Sequence, residues 1–189
     1  MSETLRKALK IMVIRHAEKP TSDIPGVTFD GRRESESLTV RGWQRAGALV
    51  AFFAPADKCF TDPALAQPQF LYASKPTRRN GSFRPIETIT PLAEKLAIRI
   101  NSNFQKNETQ QMLDEVFLCS GIVLISWQQE FIPAIANSIM GSRTATPQDW
   151  PDDRFDMVWV FDRDADSDNY SFRQVPQTLL MGDWAIPIK

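Results

Sequence analysis

Arg15 and His16 stand side by side at the end of the apolar run "KIMVI" (10–14), and His16 is the single histidine in 189 residues. Arginine keeps its charge and presents a planar fork of donors that fits phosphate oxygens. A neutral imidazole nitrogen is a competent nucleophile. Together the two suit attack on a phosphoryl group, one holding the oxygens while the other reaches the phosphorus. Such transfer depends on positioning and charge stabilisation, so further cations are wanted. Arg84 is the best placed, just ahead of a helix start, where backbone N–H groups and the helix dipole favour an anion. Lys19, Lys75, Arg78 and Arg79 would add to the local positive field. Taken alone, an Arg-His pair after a strand reads as easily as a structural pair, because dipeptides are weak signals.

Elements must bring these residues together. "KIMVI" (10–14), "QFLYAS" (69–74), "GIVLIS" (121–126) and "MVWVFD" (157–162) are short apolar runs that read as buried strands, and "SFRQV" (171–175) as an edge strand. Between them lie helical patterns. The segment 38–55 has Thr39 as a cap and Trp43, Ala46, Leu49, Val50 and Phe53 at helical spacing. A second helix is expected over 85–97, with a kink or a broken first turn at Pro91. Further helices are expected over 108–121, with Met112, Val116 and Cys119 on one face, and over 130–141, ending at Gly141. Strands alternating with helices predict a three-layer α/β/α sandwich around a mostly parallel sheet, one domain over 1–189. Ligands in such sheets bind beyond the C-terminal strand ends. Arg15-His16, Ser74-Lys75 and Trp127-Gln128-Gln129 follow three of the apolar runs and are expected to converge there.

Composition narrows the partners. Lys and Arg number 22 and Asp and Glu 23, a net charge of −1, which gives no global attraction to nucleic acid or to an acidic membrane. Any anion must be held by local arginines. Cys59 and Cys119 read as two buried thiols in a reducing compartment. The uninterrupted apolar run before Arg15 is only four residues, Ile11 to Ile14, too short for a signal core or a membrane span, so a cytoplasmic protein is expected. One histidine and two distant cysteines make no usual zinc site, and no metal or cofactor is expected. The five tryptophans, 43, 127, 150, 159 and 184, are expected in the core or the crevice wall.

The ordered motifs "VIRHAEKP", "LTVRGWQRAGALVAFF", "LYASKPTRRNGSFRPIETITPLAEKL" and "IVLISWQQEFIPAIANSI" resemble the histidine phosphatase (phosphoglycerate-mutase-like) superfamily over about residues 11–140, and "WPDDRFDMVWVF" continues the likeness. The resemblance implies that fold, with His16 as the nucleophile that becomes phosphorylated and Arg15 and Arg84 as phosphate-binding arginines. It also marks departures. Where the family has a second histidine after its fourth strand, this chain has Gln129. Ala17 replaces the usual glycine and would be strained if that position needs φ > 0. The general acid is not assigned by spacing: Glu18, Glu87 and Glu94 are near in sequence, and Glu87 and Glu94 read more simply as helix-surface charges. Two functions follow as expectations. One is a protein that binds a phosphorylated small molecule or phosphoprotein, with weak or lost turnover. The other is an active phosphatase of a phosphomonoester or phosphohistidine, through phospho-His16.

Overall fold

The computed structural model describes residues 8–77, 81–164 and 167–189, so Arg78 and Arg79 lie outside the described residues. The elements run β1 (Ala8–Arg15), α1 (Val40–Phe53), β2 (Phe70–Ala73), α2 (Arg84–Leu96), β3 (Ile100–Asn101), α3 (Thr109–Val116), β4 (Gly121–Trp127), a 3-10 turn (Gln129–Phe131), α4 (Ile132–Met140), β5 (Met157–Arg163) and β6 (Tyr170–Pro176). One six-stranded sheet has the order β3-β2-β4-β1-β5-β6. Its first four strands are mutually parallel, whereas β5 pairs antiparallel with β1 and with β6.

Strand alternation divides the core. Ile11, Val13, Val123, Ile125 and Trp127 face one side, where Met112, Leu113 and Val116 of α3 and Ile132, Ile135 and Ile139 of α4 cover them. Met12, Ile14 and Leu124 face the other, under Leu49, Phe52 and Phe53 of α1 and Ile89 and Leu92 of α2. Burying each such side chain stabilises the fold by roughly 1.5–3 kcal/mol. This is the expected three-layer arrangement. No described helix is long and apolar enough to cross a membrane.

Local signals hold in most places. Thr39 caps α1, its hydroxyl accepting from the Gly42 N–H at 3.1 Å. Gly141 ends α4 with φ 62°, a conformation glycine adopts without strain. Helix α2 runs unbroken through Pro91, so the first turn is intact, with Pro85 seated where a missing N–H costs nothing. Helix α3 is shorter than its pattern and leaves Cys119 beyond its end. Neither cysteine is buried: Cys59 is exposed and Cys119 half-buried. Trp127, Trp150 and Trp159 lie in the core, but Trp184 is exposed, held beside the Arg154 guanidinium at 5.9 Å.

Candidate anion-binding site

Strand β1 delivers Arg15 and His16 at its C-terminal end, and the His16 N–H extends the parallel ladder to the Trp127 carbonyl at 3.0 Å. Ala17 follows, fully buried. Its N–H donates to Thr88 Oγ1 at 2.8 Å, which ties this turn to the second turn of α2. Ala17 has no positive φ, so the replacement of glycine brings no backbone strain. Its carbonyl lies 2.8 Å from His16 Nδ1. A carbonyl only accepts, so Nδ1 carries the proton and Nε2 keeps its lone pair. His16 is 2% exposed. Burial pushes its imidazole down to about 3, and the charges of Arg15, Arg84 and Lys19 push the same way against the Ala17 hydrogen bond. The ring is therefore neutral throughout the physiological range.

Beside it opens a cavity of about 280 Å³ lined by His16, Lys19, Glu36, Ser82, Arg84, Lys106, Gln128, Gln129 and Glu130. The sequence places five of these, His16, Lys19, Arg84, Gln128 and Gln129, and the structure brings them to one cavity. Arg84 opens α2. Its Nη1 donates to the Ser35 carbonyl at 3.2 Å and lies 3.5 Å from Glu36 Oε2, while its Nε is buried without a hydrogen-bond partner among the described residues. Burial lowers its pKa. Gln129 lines the cavity, but its amide N–H donates to Asp152 Oδ1 at 2.8 Å. Lys19 reaches the same carboxylate oxygen at 3.4 Å.

Arg15 is placed differently from the expectation. It is buried and is not among the residues lining the cavity. Its Nη1 donates to the carbonyls of Pro151, Asp152 and Arg154 at 3.0, 2.8 and 3.1 Å, and its guanidinium stacks on Phe155 at 3.9 Å. Nε and Nη2 have no hydrogen-bond partner among the described residues, although Nη2 lies 3.9 Å from Asp152 Oδ1. Burial pushes this arginine down to about 10, against the nearby acids. Lys75 is exposed and outside the cavity, with its backbone N–H donating to the Phe104 carbonyl. Trp127 is core rather than loop.

The acids also resolve. Glu18 lies off the cavity, both carboxylate oxygens taken by buried Arg45, with Arg41 at 3.2 Å. Glu87 is not a surface charge. It is half-buried and accepts from Ser37 Oγ at 2.7 Å and the Leu38 N–H at 2.9 Å; burial raises its pKa against those bonds. Glu94 is exposed, as expected. The carboxylates on the cavity are Glu36 and Glu130, the latter 3.1 Å from Lys106. Sequence reading missed Glu36, Ser82, Lys106 and Glu130. Ser82 carried a faint signal, two residues ahead of Arg84. Lys106 carried none, since β3, which leads to it, has only two residues. Among the described residues no group of three His, Cys, Asp or Glu side chains is placed to hold a metal ion.

Chemically, the site offers an uncharged ring nitrogen with a free lone pair beside buried polar atoms that lack partners. Among the described residues, Ser82 Oγ, Arg84 Nε and the Gln128 amide oxygen are buried on the cavity without a hydrogen-bond partner, as are Arg15 Nε and Nη2, Ser74 Oγ and Ser126 Oγ outside its lining. Buried polar groups are normally paired, so such a concentration marks a place built for a ligand.

No family model matches the chain, and no curated protein matches it in sequence. Solved structures do match. One assigned as the phosphohistidine phosphatase SixA from Agrobacterium tumefaciens is 17% identical with a TM-score of 0.51, over 88% of this chain and 96% of that one. The alpha-ribazole phosphatase from Shigella flexneri is 11% identical with a TM-score of 0.55, over 92% and 98%. A mutant phosphoserine phosphatase from Entamoeba histolytica, in complex with phosphoserine, is 12% identical with a TM-score of 0.52, over 86% and 94%. The chain has the phosphoglycerate-mutase-like α/β fold of these histidine phosphatase superfamily proteins.

Proposed function

We propose that this protein binds the phosphoryl group of a phosphorylated small molecule or phosphoprotein beside His16, with weak or lost turnover. What carries the reading is the set of buried, unpartnered polar atoms of Ser82, Arg84 and Gln128 on one cavity beside a neutral imidazole. Arg84, at the start of α2, adds its guanidinium to the N-terminal end of the helix dipole. Arg15, buried behind the cavity rather than lining it, contributes its field, which already bears on His16. Weak turnover follows from Gln129. By the resemblance it takes the place of the superfamily's second histidine, and an amide supplies a dipole without positive charge. Losing one charged donor at a developing oxyanion costs about 2.7–4 kcal/mol, a rate factor of roughly 10²–10³.

A second reading, an active phosphatase, is favoured by the free Nε2 of His16. In that reading Nε2 attacks phosphorus and a P–N bond forms as the ester P–O bond breaks. The leaving oxygen then takes a proton from solvent or an acid at the cavity. Water next attacks the phosphoimidazole, the P–N bond breaks and phosphate leaves. A substrate with a good leaving group, such as phosphohistidine, asks least of a general acid. Calorimetric titration with inorganic phosphate, together with p-nitrophenyl phosphate hydrolysis across pH, separates the readings, with His16→Ala as control. Binding with negligible turnover supports the first. Turnover that disappears in His16→Ala supports the second. Neither binding nor turnover would remove both.

A further inference from the structure

Gln128 and Gln129 are adjacent, yet the fold treats them oppositely. In the parallel register of β1 and β4, Arg15 stands opposite Trp127. The His16 N–H to Trp127 carbonyl bond carries this ladder one residue further. Gln128 keeps an extended backbone, with φ −81° and ψ 139°, so side-chain alternation continues through it. His16 and Gln128 therefore extend the same face of the sheet, the one covered by α1 and α2, whose first residue is Arg84. Gln129 begins the 3-10 turn, and its amide is already spent on Asp152 at 2.8 Å.

Gln128 is 8% exposed and lines the cavity, and its Oε1 is buried without a hydrogen-bond partner among the described residues. No neutral polar group belongs in such a position unless something else completes it. Ser82 Oγ and Arg84 Nε, on the same cavity, are unfilled in the same way. The two ends of a carboxamide are nearly isosteric, so the group turns to present its N–H₂ where the ligand offers oxygens. An occupant that accepts from an amide, a hydroxyl and a guanidinium at once is a tetrahedral oxyanion. We infer that Gln128, rather than Gln129, is the amide that holds the phosphoryl group, donating to one of its oxygens beside His16.

This inference rests on the phosphate-binding reading above, and its test separates the two. Inorganic phosphate is titrated calorimetrically into the full chain as wild type, Gln128→Leu and Gln129→Leu. Circular dichroism without phosphate checks that each is folded. A hydrogen bond to a charged group predicts that Gln128→Leu weakens phosphate binding by about tenfold or more. The loss in Gln129→Leu is smaller. If Gln128→Leu does not fold, Gln128→Met, which keeps the length and apolar stem, takes its place with the same expectation. A loss at position 128 no larger than at position 129 overturns the inference and leaves the phosphate reading standing. Absence of phosphate binding by the wild type overturns both.

Discussion

At the scale of single residues, the proposed phosphoryl chemistry depends on His16 staying uncharged. Its imidazole is held at about 3 when folded, against 6.5 when free. Between those values the unfolded chain binds a proton that the folded one refuses. Stability is therefore lost as pH falls from 6.5 towards 3, and is fully restored above 6.5. The slope is about 1.4 kcal/mol per pH unit from this one group. Denaturant unfolding of wild type and His16→Ala at a series of pH values checks it: the variant lacks this component, so the difference between the two should shift by that slope below pH 6.5. Gln129→His tests the missing charge. Asp152, which now holds the Gln129 amide, would accept from an imidazolium at the cavity rim. Because position 129 faces Asp152 rather than the phosphoryl oxygens, turnover of p-nitrophenyl phosphate should rise by less than the roughly 10²–10³ of a donor in direct contact, and should vanish when His16→Ala is added. No rise in a folded protein would mean that more than this one charge is missing.

At the scale of elements, the site depends on how closely α1 packs against the turn after His16. Gly42, in the first turn of α1, lies against that turn. A Cβ there would sit 2.8 Å from the Glu18 carbonyl oxygen and 3.2 Å from its nitrogen. Both contacts are backbone, so nothing flexible can yield, and either the helix or the loop must shift. Gly42→Ala is expected to cost about 1–3 kcal/mol despite alanine's better helix propensity. Weaker phosphate binding should accompany that cost, because His16 is only two residues from Glu18. Thermal unfolding and phosphate titration of the one variant measure both. A gain in stability with binding unchanged would show that α1 can move without disturbing the site.

Across the whole molecule, a buried charge cluster joins the site to the C-terminal segment. Arg45 of α1 is 2% exposed. Its Nη2 lies 2.8 Å from Glu18 and 2.7 Å from Asp183, and its Nη1 donates to Gln177 at 3.0 Å. Three regions distant in sequence thus share one guanidinium. Burial would lower the pKa of Arg45, but the bonds to Asp183 and Glu18 outweigh it and hold the charge. Arg45→Met would leave Glu18 and Asp183, both largely buried, with only the exposed Arg41 as counter-ion, 3.2 Å from one and 3.8 Å from the other. Removing one partner of a buried pair costs about 3–5 kcal/mol. Denaturant unfolding should show that loss, and the Asp183→Asn double mutant should recover part of it. Full additivity would mean that the two do not act as a unit.

Local rules made much of this protein legible. Apolar runs bounded by polar turns mark β1, β2, β4 and β5, because a strand buried on both faces needs little beyond its own composition. Thr39 and Gly141 mark helix ends through bonds made within a few residues. The Arg15-His16 pair and Arg84 point to phosphate chemistry because their donors and lone pairs suit it wherever the chain carries them. Contacts across long separations are not legible in this way. Strand β3 has two residues, too few for any period, so Lys106 arrives at the cavity unannounced. Glu87 looks like a helix-surface charge until Ser37 and Leu38 are seen to need its oxygens. Asp152 becomes part of the site only because the loop after Trp150 folds back over β1. Which of two adjacent glutamines meets His16 depends on where the β4 ladder ends and the 3-10 turn begins, and a single-residue shift moves a side chain to the opposite face. Residue types and short spacings specify the chemistry available, whereas strand register and long-range hydrogen bonds decide which groups are left free to use it.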